Sequence, residues 1–486
     1  MLGKYALIHY YTDKTMSIGC LLEQTIQHLK SSLDEPLQSQ HLVIQQTHIP
    51  YYLQQQSPVE LLVLLSISKE KSGCFRIEGS ISPFSSERLE QIQHLSEGAA
   101  EEHKGDDQPL RLFCMIHSLP WLAMTDPWVL SPVHIPKPWG QEIWYTGIEA
   151  RGQASIVCEN GRIPLPWLLD VMSGQIGLGQ DSPPVLLKVL DPVAEEVYGD
   201  LYFELHQQKQ EVYVVTHIDQ SAWRDGVGAI QLGFSEQARA QYQNDDAFKQ
   251  AYLQTVQSYE RVRRLIDSLL DEKKRDVGRD LSEPASSSDL MSWINELSQS
   301  VDTKGLIEQE QQLRQVMNSF VEHYPLRLGD VVTVPKLVPH ALQHGVRVIE
   351  FQTPVYERKI LSFGQKVLTQ SHWDTAEALK LVDMNFTQLP TPEILVETLD
   401  YRIERIVNFD DFEVKRVWLD GNYHEDSGVY SVLMALDGEL AIGQLGNQQE
   451  VNSGQAMLMP KSETGWFISS QKPCLFLLAT PKSSPK

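Results

Sequence analysis

The chain has 486 residues and a formal charge of −23, from 41 lysines and arginines against 64 aspartates and glutamates. At roughly 150 residues per domain, this length predicts about three domains with sizeable buried cores. Nucleic acids and anionic membranes are bound by clustered cations, so the acidity argues against a function at either surface.

Cysteine usage and the lack of long apolar runs indicate a cytoplasmic protein. The five cysteines include no CxxC pair and make a poor disulfide framework, as expected in a reducing compartment. The N-terminal residues reach His9 before any signal-like apolar core develops. The best apolar run, at 61–67, is far shorter than the ~18 residues of a membrane span.

Residues 1–130 have the pattern of a small α/β domain, whose role the sequence does not indicate. Strand-like residues at 5–11 precede a helical spacing at 18–33. The apolar run at 61–67 predicts a buried strand, and residues 86–95 predict a helix. A group of prolines then marks a boundary.

A helical block interrupts the β-rich remainder of the chain. Short strands continue to about Gly233, and apolar residues at every third or fourth position from Phe248 to Leu269 predict one long amphipathic helix. Residues 274–288 predict a flexible loop, and a second helix is expected to end at Pro325. Strands resume at Val331, so we predict a β-barrel or sandwich, a helical insert and then further β structure.

The most informative segment for chemistry is a predicted hairpin. A strand ending at His206 places Glu204 and His206 on one face, because side chains alternate along a strand. Residues 207–210 then form a turn, and Glu211 opens the returning strand. Two carboxylates and an imidazole, with no thiolate, suit zinc, iron, manganese or nickel, with one more ligand required from elsewhere. A polar strand face on an exposed sheet gives a similar pattern.

His340 is the candidate for that further ligand. It follows Pro339, whose ring restricts the backbone, so the imidazole is well placed as a rigid ligand. A histidine in a turn or in the core is the alternative interpretation. A strand follows, and then the cations Arg358 and Lys359.

At these residues the chain resembles the type I mannose-6-phosphate isomerases of the cupin superfamily. The matching segments are Glu204-Leu205-His206 for that family's Gln-x-His, Lys209-Gln210-Glu211 for its Lys-x-Glu element, and His340-Ala341-Leu342 for its late histidine. Other segments that follow the family's order are Pro138-Trp139-Gly140, 186–191, 229–234, Glu350-Phe351-Gln352 and His372-Trp373-Asp374. The resemblance covers about residues 131–483.

The resemblance implies a mainly β chain with α-helices, built from two cupin (jelly-roll) barrels, a helical insert domain and an N-terminal α/β domain. The metal-binding cupin is expected at 131–235 and 325–400, the helical insert at 236–324, and the non-catalytic C-terminal cupin at 401–486. Residues 1–130 have no counterpart in that family.

The activity implied by the resemblance is that of a metal-dependent aldose–ketose isomerase. It would convert mannose 6-phosphate to fructose 6-phosphate or act on a related sugar or sugar phosphate. The expected cofactor is one divalent ion per chain, zinc first and iron or manganese as alternatives, held by Glu204, His206, Glu211 and His340. The expected catalytic residues are Lys209 and Arg358, and the expected substrate-binding residues are Lys188 and Lys359. The acidic charge does not exclude a phosphosugar, because these cations flank the metal motifs.

Two departures from the family keep other functions open. Glu204 replaces a neutral glutamine, and its negative charge should hold a divalent ion more tightly while reducing the Lewis acidity of that ion. Only four residues separate His206 from Glu211, where the family has a longer excursion that lines the sugar site. One alternative is therefore a cupin that binds metal and sugar without turnover. Another is an iron-dependent cupin oxygenase, since histidine and carboxylate also suit Fe(II).

Overall fold

A computed structural model describes residues 8–11, 18–31, 39–50, 57–69, 74–98, 109–178, 183–386, 391–426, 428–444 and 447–482. The chain divides into two compact units. The first unit contains Met1–Val133, Trp144–Val185 and Glu393–Lys486, and the second contains His134–Ile143 and Leu186–Pro392.

Strands outnumber helices in the described residues. The α-helices are α1 (Ile18–Ser31), α2 (Ser86–Gly98), α3 (Pro109–Ile116), α4 (Leu165–Ile176), α5 (Glu236–Arg239), α6 (Asp245–Asp276), α7 (Ser287–Gln299), α8 (Lys304–Asn318) and α9 (Thr375–Leu381). The strands before α5 are β1 (Ile8–Tyr11), β2 (Ser39–His48), β3 (Val59–Lys69), β4 (Phe75–Pro83), β5 (Leu122–Ala123), β6 (Trp128–Ser131), β7 (Val133–Lys137), β8 (Gly140–Trp144), β9 (Ser155–Cys158), β10 (Gly161–Pro164), β11 (Leu186–Pro192), β12 (Phe203–Leu205), β13 (Glu211–Ile218) and β14 (Gly228–Phe234). The strands after α8 are β15 (Val321–Leu326), β16 (Val331–Val334), β17 (His340–Leu342), β18 (Val346–Gln352), β19 (Lys359–Ser362), β20 (Glu393–Glu397), β21 (Tyr401–Asn408), β22 (Phe412–Leu419), β23 (Asn422–Glu425), β24 (Ser431–Asp437), β25 (Glu439–Gln444), β26 (Asn447–Asn452), β27 (Ala456–Met459), β28 (Trp466–Ser469) and β29 (Cys474–Pro481).

The N-terminal part of the first unit is a five-stranded sheet in the order β1-β2-β3-β4-β5. β1 is parallel to β2, and the other neighbours are antiparallel. The apolar run at 61–67 lies in β3 and is buried, as the sequence predicts. Leu62 and Leu64 of this strand share a core with Leu110 and Phe113 of α3. Residues 5–7 of the predicted first strand, and 32–33 of the predicted first helix, lie outside the described residues.

Two further sheets of the first unit share a second apolar core. The larger sheet has the order β10-β9-β6-β27-β24-β29-β22-β21-β20, and the smaller has the order β23-β28-β25-β26. Leu433 and Leu478 of the larger sheet share this core with Ile442 and Ile468 of the smaller one. Between β24 and β25, Gly438 has a φ of 82°, in the left-handed region that glycine adopts without steric cost.

The second unit also contains two sheets around one core. A six-stranded sheet has the order β16-β13-β18-β11-β8-β7, and a five-stranded sheet has the order β15-β14-β17-β12-β19. Tyr213 and Val348 of the six-stranded sheet lie in the same apolar core as Leu205 and Ile230 of the five-stranded sheet. The side chains between these sheets therefore come from strands that are far apart in the chain.

The predicted long amphipathic helix is confirmed as α6. Asn244 caps its N-terminus by accepting a hydrogen bond from the Ala247 N–H at 2.9 Å. Phe248, Tyr252 and Val256 recur at helical spacing and are fully buried in the core of the second unit.

The loop predicted at 274–288 is confirmed with narrower bounds, at 277–286, because α6 continues to Asp276 and α7 begins at Ser287. The predicted end of the second helix is wrong. The second predicted helix ends at Asn318 and not at Pro325, so strands resume at Val321. Pro325 instead lies in β15, at the edge of its sheet, where the absent N–H of proline is tolerated.

The fold is mainly β with helices, as predicted. The predicted barrels are not closed, because each sheet in the described residues is open and the two pairs of sheets each enclose a separate apolar core. Among the residues that the structure describes, no helix has an apolar stretch long enough to cross a membrane. The predicted domain boundaries remain predictions.

Candidate metal centre

Strands of both sheets in the second unit bring the predicted donor residues together. In the five-stranded sheet, Glu204 of β12 lies directly opposite His340 of β17. β12 ends at Leu205, so His206 follows at the end of the strand. The donor atoms of Glu204, His206 and His340 all lie within 4.8 Å of one another. Residues 207–210 then lead to Glu211, the first residue of β13. The predicted hairpin is wrong, because β12 lies in the five-stranded sheet and β13 in the six-stranded sheet, so the two strands do not pair and the turn crosses from one sheet to the other.

His206 is buried, and its two ring nitrogens have different surroundings. Nδ1 lies 3.0 Å from the Glu357 carbonyl oxygen, so we assign the ring proton to Nδ1. Nε2 then presents a lone pair, 3.6 Å from Glu204 Oε1 and 3.4 Å from Glu211 Oε1. Burial, together with the nearby Lys209 ammonium, lowers the pKa of His206 well below its usual range. The imidazole is therefore neutral at neutral pH, as a metal ligand must be.

Glu211 is buried, and its carboxylate contacts four neighbours. Oε1 lies 2.7 Å from Lys209 Nζ and 3.4 Å from His206 Nε2. Oε2 lies 2.7 Å from the Tyr213 hydroxyl, which donates to it, and 3.1 Å from His340 Nε2. Burial disfavours the charged carboxylate, but the Lys209 ammonium and the hydrogen bond with His340 outweigh this and hold the pKa of Glu211 well below its usual range. Glu211 is therefore an anion held between a lysine and two imidazoles.

His340 is fixed by the backbone that precedes it. Its Nδ1 lies 3.2 Å from the Val338 carbonyl oxygen, and its ring packs edge-on against the His206 ring with 5.1 Å between centroids. Leu337 has a φ of 65°, a strained left-handed conformation for a side chain of this size. The Leu337 N–H donates to the His206 carbonyl at 2.7 Å. Through this hydrogen bond, Leu337 joins the segment before His340 to the end of β12.

Each of the four predicted catalytic or substrate-binding cations lies against a carboxylate. The pairs are Lys209 with Glu211 at 2.7 Å, Lys188 with Glu350 at 3.1 Å, Lys359 with Glu377 at 2.9 Å, and Arg358 with Glu204 at 3.7 Å. Lys209 and Arg358 thereby contact proposed ligands. Lys359 instead pairs with an exposed residue of α9, so its ammonium is directed to that helix.

Arg358 is oriented by two further contacts. Its guanidinium carbon lies 4.6 Å from the centroid of the Tyr202 ring, a cation–π distance. One of its terminal nitrogens donates to the Thr369 hydroxyl at 2.8 Å. A guanidinium presents several N–H donors in one plane, so Arg358 keeps donors with which it could bind an anion near Glu204.

Glu350 is a buried carboxylate that the sequence analysis did not assign to the site. It lies on β18, opposite Lys188 of β11 on one side and Tyr213 of β13 on the other. Burial and the nearby Glu211 carboxylate raise the pKa of Glu350 well above its usual range. Glu350 stands between the apolar residues Ile349 and Phe351, and an acidic residue in such a position is the signal that points to it in the sequence.

The donor set fits a divalent metal ion. Among the described residues, His206 Nε2 and Glu204 Oε2 are buried polar atoms with no hydrogen-bond partner. Buried polar atoms are nearly always satisfied, so an ion bound between these two atoms would supply the partner that each of them needs. Two imidazoles with carboxylates suit zinc, and also suit iron or manganese.

Comparison with known proteins finds similarity in structure only. No family model and no curated protein matches the sequence. The fold is similar to that of mannose 6-phosphate isomerase from Bacillus subtilis, with a TM-score of 0.50 and 14% identity, over 73% of this chain and 99% of that one. A putative mannosephosphate isomerase from Archaeoglobus fulgidus has a TM-score of 0.46 and 12% identity, over 74% and 100% of the two chains. A mannose 6-phosphate isomerase bound with zinc and yttrium has a TM-score of 0.48 and 13% identity, over 74% and 100%.

Proposed function

We propose that this chain is a metal-dependent aldose–ketose isomerase that acts on a hexose phosphate. The observation that carries the proposal is the cluster of Glu204, His206 and His340 donor atoms within 4.8 Å, in a chain whose fold is similar to that of a mannose 6-phosphate isomerase. Conversion of mannose 6-phosphate to fructose 6-phosphate is therefore the first reaction to test.

The proposed cofactor is one divalent ion, with zinc preferred on the chemistry of the donors. Its ligands would be Glu204, His206, Glu211 and His340. When bound, such an ion supplies Lewis acidity toward a carbonyl oxygen or a water molecule. Iron and manganese suit the same donors and are distinguished by metal content.

The protein groups around the cluster suit the proton movements of isomerisation. The reaction transfers a proton between adjacent carbons, so it needs a group that exchanges protons near neutral pH. Glu350, whose pKa is raised, is the candidate for that group, and Lys209 presents an ammonium 2.7 Å from Glu211. Arg358 can stabilise negative charge on a sugar oxygen. Lys188 and Lys359 would contribute positive charge toward the phosphate only after exchanging their partners Glu350 and Glu377 for it.

A metal-binding protein without turnover is the second candidate. The observation that favours it is the pairing of all four assigned cations with carboxylates, because a phosphate would have to compete with those partners. Metal binding is common to both candidates, so only turnover separates them.

The test is a coupled assay over hexose 6-phosphates, combined with elemental analysis of protein purified without added metal. The isomerase proposal expects turnover of at least one hexose 6-phosphate, loss of that turnover on chelation, and recovery with zinc. Stoichiometric iron would reject zinc as the resident ion. A fully occupied site with no turnover of any hexose 6-phosphate would reject the isomerase and favour the second candidate.

We also propose a domain arrangement and a cytoplasmic location. The metal-binding cupin domain would occupy 131–235 and 325–400, with the helical insert at 236–324 and a second cupin domain at 401–486. The two pairs of sheets, each pair with its own core, and the position of α6 to α8 support this division. β9 and β10 depart from it, because they belong to the larger sheet of the first unit. Residues 1–130 would form the separate α/β domain.

A further inference from the structure

The turn between β12 and β13 is fastened by one side chain. The backbone N–H groups of Gln207, Gln208 and Lys209 all donate to Oε1 of Glu357, with N···O distances of 2.7, 2.9 and 3.4 Å. N–H groups in a turn have no partner in a strand ladder, and hydrogen bonds to a carboxylate are stronger than those to a neutral acceptor. Glu357 therefore organises the backbone of this turn.

The main chain of the same residue orients a proposed metal ligand. The Glu357 carbonyl lies 3.0 Å from His206 Nδ1 and accepts its proton in a hydrogen bond. This contact leaves Nε2 as the atom that faces the donor cluster, and such contacts fix both the tautomer and the ring plane of a metal-binding histidine. One residue thus holds the turn through its side chain and the imidazole through its backbone.

The other end of the turn is tied to the same connection. Gln210 and Thr353 exchange two hydrogen bonds, from the Gln210 N–H to the Thr353 hydroxyl at 3.2 Å and from the Thr353 N–H to the Gln210 carbonyl at 3.0 Å. Residues 353–358 connect β18 to β19 and carry Arg358. The turn is therefore joined at both ends to the connection that positions this arginine.

We propose that Glu357 is a positioning residue, which sets the placement of His206, Lys209 and Glu211 by holding the turn between them. Four residues must carry the chain from one proposed ligand to the next, and such a short turn keeps its geometry only if its N–H groups are satisfied. Glu357 acts through the turn and not on the metal or the substrate. The inference rests on the proposed metal centre.

The experiment compares wild-type protein with Glu357→Ala and Glu357→Gln. Hydrogen exchange of metal-free protein measures the exchange rates of the backbone amides of residues 207–209. Chelator competition measures the affinity for Co²⁺, and absorption spectroscopy measures its coordination. We expect faster exchange at these amides in the alanine variant, Co²⁺ affinity about 10–100-fold weaker, and shifted absorption bands. The Glu357→Gln variant keeps a hydrogen-bond acceptor but loses the negative charge. Its amide exchange rates and Co²⁺ affinity should therefore lie between those of wild type and of the alanine variant. Glu308→Gln, which removes a charge from an exposed side chain of α8, should match wild type.

The readouts separate positioning from stability alone. Wild-type exchange rates in the alanine variant, or a lower melting temperature with unchanged Co²⁺ affinity and spectrum, would overturn the inference. If the alanine variant does not fold, wild-type exchange rates and wild-type Co²⁺ affinity in the glutamine variant would also overturn the inference. Wild-type protein that binds no divalent ion would refute the proposed metal centre itself. In that case the exchange rates alone decide whether Glu357 holds the turn.

Discussion

Replacing Lys209 by methionine should destabilise the second unit, because it leaves the buried Glu211 carboxylate without its cation. The two charged groups are 2.7 Å apart, and their side chains are only 9% and 2% exposed. At that distance and an effective dielectric constant of about 20, their gross attraction is about 6 kcal/mol, much of it offset by removal of both charges from water. Removing one partner of a buried pair costs about 3–5 kcal/mol, and we expect a loss in that range.

The size of this loss should depend on pH. In the wild type, the pKa of Glu211 lies below its usual range, so the stabilisation is fully present above the unfolded pKa of about 4.3 and is lost as the pH falls through the folded pKa. In the variant, burial acts on the carboxyl group without the opposing ammonium, so its pKa rises. The variant therefore loses stability as the pH rises above about 4.3. The difference between the two proteins should be larger at pH 7 than at pH 4.

Hydrogen exchange at the buried amides of β13 measures this effect in metal-free protein. The exchange gives the free energy of opening of the sheet without requiring the whole chain to unfold in one step. Lys304→Met is the matched control, because Lys304 is exposed and lies 3.7 Å from Glu308, and little change is expected there. A loss below about 1 kcal/mol for Lys209→Met at pH 7, or equal losses at pH 4 and pH 7, would refute the reasoning.

Two further predictions concern the proposed ligands and the arginine beside them. His206→Ala should lower metal occupancy after dialysis by more than about tenfold, measured by elemental analysis, whereas His217→Ala on the exposed side of β13 should not. Unchanged occupancy in His206→Ala would show that the metal does not bind at the proposed centre. Arg358→Lys should lower kcat/KM by about 100-fold at unchanged metal occupancy, because lysine lacks the planar fork that lies over Tyr202. Arg261→Lys on the exposed face of α6 is its control, and equal kcat/KM in the two variants would contradict the role of Arg358.

The sequence predicts those helices and strands whose apolar pattern lies within their own residues. The spacing from Phe248 to Leu269 predicts α6, and the apolar run at 61–67 predicts β3. The sequence analysis misses α7 because Pro284 and the following serines are typical of a loop. Serine is equally favoured as an N-cap, and Ser286 has that role, accepting a hydrogen bond from the Asp289 N–H.

The candidate site is predictable only where its residues are close together in the chain. Glu204 and His206 alternate on one strand and Glu211 follows after a short turn, so local patterns are enough to group them. The separation of β12 and β13 into different sheets depends on their pairing with distant strands, so the sequence predicts a hairpin instead. Glu350 depends on the register of β18 against β11 and β13, which no short segment specifies. The contact between the Glu357 carbonyl and His206 uses a main-chain atom of residue 357. Every residue type has this carbonyl, so the sequence does not indicate the contact.

The donor residues come from strands on both sides of the helical block in the chain. β12 and β13 precede α5 to α8, and β17 follows them. During synthesis β12 and β13 therefore leave the ribosome before α5 to α8, and His340 becomes available only after these four helices. Pairing between such distant strands forms late, because a long intervening chain must first be ordered. Metal affinity can thus report the entry of β17 into its sheet: a nascent chain that stops before β17 contains Glu204, His206, Glu211 and α5 to α8, and acquires the full donor set only when His340 is added.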